Sequence, residues 1–112
     1  MTPQLEALFG SRSAAQVLLF LQNYGEGHAR RIALMFGAAP SAILRQLERL
    51  EAGGLLVSRQ IGRSRVFQWE PGSSTVKELR AFLEAELERL PTDVTQRYFR
   101  QRQRPRRGGK RL

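Results

Sequence analysis

Two helical segments packed end to end leave this chain few ways to fold. Ala29–Phe36 (ARRIALMF) is closed by Gly37, and after Ala38-Ala39 a second segment opens at Pro40 and runs to about Glu51 (PSAILRQLERLE). Glycine supplies the left-handed backbone that ends one helix sharply, and proline at the first helical position starts the next. So short a connection forces the helices to cross as a tight pair. In the second segment Ile43, Leu47 and Leu50 are spaced by four and three, which puts them on one face, turned toward a core. Ser41, Ala42, Arg45 and Arg49 fall on the other side, with Leu44 between. Gly53-Gly54 then ends the helix and feeds two extended runs, Leu55–Arg59 and Arg65–Trp69, with Gln60–Ser64 as the turn. Phe67 and Trp69 alternate with Gln68, as in a half-buried strand, and both read as core rather than as stacking platforms.

The flanking segments read as scaffold. Thr2-Pro3 opens a short helix that carries Leu5, Leu8 and Phe9 on one face and ends at Gly10. Ser11 or Ser13 caps the next helix, and Ser13 with Gln16 matches a capping box. Ala14, Val17, Leu18 and Leu21 form a stripe that Leu19 and Phe20 widen, so this helix is expected to be buried on most sides. Asn23–Gly27 reads as a loop, and Ile32, Leu34, Met35 and Phe36 as the apolar contacts of the first paired helix. After Pro71–Ser74 comes a last long helix, Thr75–Leu90. Its residues Val76, Leu79, Leu83, Leu87 and Leu90 are spaced 3, 4, 4 and 3. That near-heptad seam suits a partner helix. With Leu5, Leu8 and Phe9 it is the expected homodimer interface, in preference to an intramolecular core. The domain is expected to span residues 1–90, followed by a basic, largely disordered tail at 91–112. Within that tail Asp93–Phe99 can add a turn or two of helix, and Tyr98-Phe99 can dock on the body.

Charge narrows the function. The chain has 112 residues, enough for one domain, and a net charge of +9, which points to a polyanionic partner. Residues 91–112 hold eight Lys/Arg against one Asp, whereas residues 1–90 hold eleven against nine Asp/Glu. Much of the excess is therefore tail. Within His28–Trp69, however, seven arginines face only Glu48 and Glu51. Arginine dominates throughout, and its planar fork suits phosphate and guanine. A small helix end with Arg45 one turn in fits a major groove, where Leu44 could meet a thymine methyl or remain core. Arg63 beside Gly62, flanked by Arg59 and Arg65, suits a hairpin tip that clamps phosphate or enters a minor groove. Arg30 and Arg31 sit at a helix start, where positive charge opposes the helix dipole, and phosphate contact would relieve that misfit. The expected architecture is mostly α with a small β-hairpin wing: a winged helix-turn-helix with N- and C-terminal dimerisation helices.

The motifs carry a resemblance over roughly residues 8–90. They are Leu8-Phe9-Gly10-Ser11, Arg31-Ile32-Ala33, the run Leu47-Glu48-Arg49-Leu50-Glu51-Ala52-Gly53-Gly54-Leu55-Leu56, Ser58-Arg59, Gly62-Arg63 and Phe67-Gln68-Trp69. Together they resemble the ArsR-type winged helix-turn-helix regulators, especially the modules found beside minimal nucleotidyltransferases. The resemblance implies a homodimeric transcription regulator that binds double-stranded DNA. Carried over by position, Pro40, Ser41, Ala42, Leu44, Arg45 and Arg49 would form the reading helix. Arg59, Gly62, Arg63 and Arg65 would form the wing. The sequence departs from the pattern at Ala39-Pro40, where many relatives have a polar cap, and its reading face is poor in Asn, Gln and Lys.

Other chemistries find little support. Zero cysteines and one histidine leave no ligand set for metal sensing, and no cofactor is expected. No Ser/His/Asp set, carboxylate pair or phosphate loop suggests an enzyme, and Gly10-Ser11 lacks the carboxylate pair of a nucleotidyltransferase. His28 reads as a loop or capping residue. No apolar run approaches a membrane span, and a cytoplasmic location is expected. Two alternatives remain open: a protein-interaction module, such as the antitoxin partner of a toxin or nucleotidyltransferase encoded nearby, and non-specific nucleic-acid binding, including RNA, through the tail.

Overall fold

Helix α2 (Arg12–Tyr24) is the post on which the other elements pack. Its residues Ala14 to Leu21 are all buried, as the widened apolar stripe requires. Each buried Leu or Phe of such a post contributes roughly 1.5–3 kcal/mol. The computed structural model describes residues 2–99. Ser11 caps α2, its Oγ accepting from the Ala14 amide at 3.1 Å. Ser13 therefore lies inside the first turn, and the expected Ser13–Gln16 capping box does not form. Gln16 is instead buried at 7 % exposure, because it faces the packed side of the helix. Before it, α1 (Pro3–Phe9) starts at Pro3 and ends at Gly10, whose φ of 95° needs a residue without a Cβ.

The helix pair forms with the limits expected: α3 spans Ala29–Phe36 and α4 spans Pro40–Ala52. Gly37 takes φ 65°, which turns the chain between them. Ile43, Leu47 and Leu50 point into the core at 4 % exposure or less. Leu34 does not belong with the apolar contacts of α3; it is 76 % exposed, since Ile32 and Ala33 already supply the inward face.

The sheet has three strands rather than two, in the order β1-β3-β2. Strand β2 (Leu56–Ile61) pairs antiparallel with β3 (Ser64–Trp69), and both are longer than the sequence suggested. Only Gly62 and Arg63 are left as the loop, with Gly62 at φ 60°. The segment read as a loop supplies β1 (Glu26–Gly27), which pairs with Gln68 and Phe67. Gly27 makes this possible, because a Cβ there would stand 2.5 Å from the Phe20 ring. Trp69 closes the sheet onto α2 by donating its Nε1 proton to the Leu21 carbonyl at 3.2 Å.

Helix α5 (Ser74–Glu88) is capped by Ser73 Oγ, which accepts from the Val76 amide. Its seam faces inward. Val76, Leu83 and Leu87, with Leu90 just beyond the helix end, are 0–8 % exposed within a single chain, as is Leu5 of α1. Those five pack in the core of the single chain, where the sequence pattern suggested a dimer interface. Leu79 and Phe9 pack partly buried against the same core. Leu8, at 63 %, stays outside it. The packed body also continues past residue 90. Helix α6 (Thr92–Tyr98) leads to Phe99, which is fully buried. The Tyr24 hydroxyl donates to the Tyr98 carbonyl at 2.7 Å, and Phe36 stacks on Tyr98 with ring centroids 5.0 Å apart. The basic run from Arg100 onward lies outside the described residues.

Candidate nucleic-acid interface

The outward face of α4 carries Pro40, Ser41, Arg45 and Arg49, all exposed, with Ala42 and Leu44 half-buried beside them. Because the opposite face is anchored by Ile43, Leu47 and Leu50, this side is left to solvent. Ala39 offers no side-chain cap; Pro40 has no amide proton and the Ala42 amide donates to the Ala39 carbonyl at 3.1 Å, so among the first amides of α4 that of Ser41 is the one facing an external acceptor. Arg49 donates from Nε to Gln46 Oε1 at 2.9 Å along the same helix. Arg45 has no ion-pair partner among the described residues.

Leu44 opens onto a cleft of about 270 Å³, also lined by His28, Ala29, Arg30, Arg63, Ser64, Arg65 and Phe67. The start of α3, the middle of α4 and the wing turn thus converge on one hollow. Arg30 and Arg63 both line it, and neither has a carboxylate partner among the described residues. His28 caps α3, its Nδ1 accepting from the Arg31 amide at 3.3 Å. The neighbouring Arg30 is exposed. Arg31 is exposed, with its guanidinium over the Phe20 and Tyr24 rings at 5.7 and 5.5 Å. Free guanidiniums beside an exposed helix face are suited to an anionic backbone.

Two of the wing arginines have a different situation. Arg59 donates to Glu26 at 2.9 Å and also bonds Gln68, tying β2 across β3 to β1. Arg65 binds both acids of the helix end, Glu51 and, at 3.2 Å, Glu48. Its Nε donates to Ser58 Oγ at 3.1 Å, and its guanidinium lies 4.7 Å from the Phe67 ring centroid. Ser58 in turn donates to Glu51 Oε2 at 2.6 Å. That hydrogen bond, joined by the charge and hydrogen bond of Arg65, holds the Glu51 carboxyl below its ordinary value against the opposing effect of burial.

Sequence reasoning missed Glu26, Glu48, Glu51, Ser58 and Gln68 as partners of these arginines. A signal existed. A five-residue turn would have set Arg59 opposite Arg65, a like-charge pair that strands avoid. The true register sets Arg59 opposite Val66 and Arg65 opposite Gln60. Ser58 is then the diagonal neighbour of Arg65 on the same face.

No family model matches the sequence, and no curated protein is significantly similar to it. Solved structures do match. A MarR-family transcriptional regulator from Rhodococcus sp. RHA1 aligns with a TM-score of 0.55 at 21 % identity, over 83 % of this chain and 72 % of its own. The antimony-specific transcriptional repressor AntR aligns at 0.54 and 18 % identity, over 73 % of each chain. Reduced AbfR, in a structure bound to DNA, aligns at 0.55 and 20 % identity, over 82 % of this chain and 66 % of its own. The fold is a winged helix-turn-helix.

Proposed function

We propose that this chain is a transcriptional regulator that binds duplex DNA as a homodimer, with α4 in the major groove and the wing tip on the flanking groove or backbone. The observation that carries this reading is the convergence of cations without an acidic partner among the described residues. Arg45 stands on the exposed face of α4, and Arg30 and Arg63 line the adjacent cleft. In this reading Arg45, with Ser41 and Ala42, meets base edges, and Arg30, Arg49 and Arg63 meet phosphate. Gly62 holds the tip turn, and Pro40 sets the open end of the helix. The antimony-specific repressor and the DNA-bound AbfR among the fold neighbours agree with it. The ArsR-type affiliation implied by the motifs, a cytoplasmic location and the absence of enzymatic activity belong to the same proposal.

For the dimer, the surface that favours a second copy is small and lies at α1 and α5. Leu8 is 63 % exposed and Phe82 39 %, and Phe9 meets Phe82 edge to face with centroids 6.4 Å apart. The test is selection of fragments from the source genome with the full chain at near-physiological salt. Enrichment of a short inverted repeat is the expected result. Equal retention of all fragments would overturn sequence-specific reading and favour the tail as the source of affinity. No retention at all would favour a protein partner.

A further inference from the structure

The wing is fastened to the reading helix at its root and free at its tip. Three observations define the root. Arg65 on β3 spans the two carboxylates on the last turns of α4, Glu48 and Glu51. Ser58 on β2 joins the same set by accepting from Arg65 and donating to Glu51. The Phe67 ring, itself fully buried, backs the guanidinium from one side. All three elements therefore meet in a single hydrogen-bonded cluster. Its members are partly exposed rather than buried, so its value lies more in direction than in raw stability.

We propose that Arg65 is a positioning residue, which fixes the angle between the wing and α4 through Glu51, Glu48 and Ser58, rather than a contact to nucleic acid. The inference rests on the DNA-binding reading above. It differs from that reading in what it requires of charge. A guanidinium already neutralised by two carboxylates releases few counterions from DNA. A lysine could replace it against phosphate, where a point charge suffices. A lysine could not replace it here, because three acceptors on two elements need the planar fork.

The test uses the full chain with Arg65→Lys, Glu51→Gln, their combination, and Arg63→Ala as a reference. Hydrogen exchange of the free protein comes first. Arg65→Lys and Glu51→Gln are expected to speed exchange of β2 and β3 amides while those of α2 stay protected; Arg63→Ala is expected to change neither. Wing protection equal to wild type in both variants would overturn the proposal, whatever the protein binds. DNA titration against salt follows. Glu51→Gln removes a negative charge, so simple electrostatics would tighten binding; the positioning role requires it to weaken. Arg65→Lys is expected to bind roughly five- to tenfold more weakly, the size of a coupling between contacting groups. Its slope of log affinity against log salt should match wild type, and the combined variant should lose little more than either alone. If Arg65→Lys binds like wild type, or Glu51→Gln binds more tightly, Arg65 is not a positioning residue. If wild type shows no salt-dependent DNA binding, the DNA reading fails separately, with the exchange result still deciding the brace.

Discussion

Arg63 and Arg65 lie two residues apart in one hairpin, yet their surroundings differ. Arg63 sits in the two-residue turn, exposed and without an acidic partner among the described residues. Arg65 enters β3, where the end of α4 brings Glu48 and Glu51 within reach. The same contrast recurs among the leucines. Leu83 and Leu87 of α5 are fully enclosed, whereas Leu8 of α1 points outward. Residue type sets what a side chain can do. What it does depends on which neighbours the backbone path delivers, and those neighbours lie far away in sequence.

The contrast predicts a graded series of effects. Leu83→Ala should cost about 2–5 kcal/mol of unfolding free energy. Denaturant titration at several protein concentrations checks this; Leu8→Ala should be close to neutral by the same measure for the monomer. Equal costs for the two would break the distinction between inward and outward leucines. Arg45→Ala should cost about 1–3 kcal/mol in DNA binding and relax sequence preference, with the thermal midpoint unchanged. Arg63→Ala should weaken binding evenly across sequences and flatten the salt slope by about 0.9. Filter or anisotropy titrations separate these two outcomes.

Acid sharpens the contrast further. The Glu51 carboxyl is held below its unfolded value, so its contribution to stability is full above the ordinary carboxylate range. It is lost as pH falls through the lowered value. Thermal melts on the acid side should therefore fall less steeply in Glu51→Gln than in wild type. The smallest effect is expected at Arg59, whose bond to Glu26 is about half exposed at both ends. Arg59→Ala should change stability by less than about 1 kcal/mol.

The helix pair was legible in the sequence because its punctuation is local. Gly37, Pro40 and the spacing of Ile43, Leu47 and Leu50 act within one or two turns. The outward Arg45 followed from the same periodicity. Strand β1 was not legible, since two residues carry no period and Gly27 is selected by Phe20 seven positions away. The seam of α5 was legible as an apolar face, but periodicity does not say whether the covering surface comes from the same chain. Here α2 of the same chain packs against it. Docking of Tyr98-Phe99 was open in the sequence as two aromatics in a basic segment, but their partners Tyr24 and Phe36 were not, because they lie far away along the chain. The different surroundings of the wing arginines depended on the hairpin register, which moved when the turn shortened to two residues.

Trp69 gives the molecule an intrinsic optical probe. It is the single tryptophan of the sequence, 7 % exposed, with its indole proton on the Leu21 carbonyl and the Arg80 guanidinium 5.7 Å from its ring. Arg63 lies in the turn just before the opposite end of β3, a strand that rises roughly 3.3 Å per residue. Emission from this indole therefore follows the junction of sheet, α2 and α5, well away from the wing tip. A blue-shifted band that holds steady through a DNA titration and moves only on unfolding would make fluorescence a clean clock for the core, recorded in the same cuvette as binding.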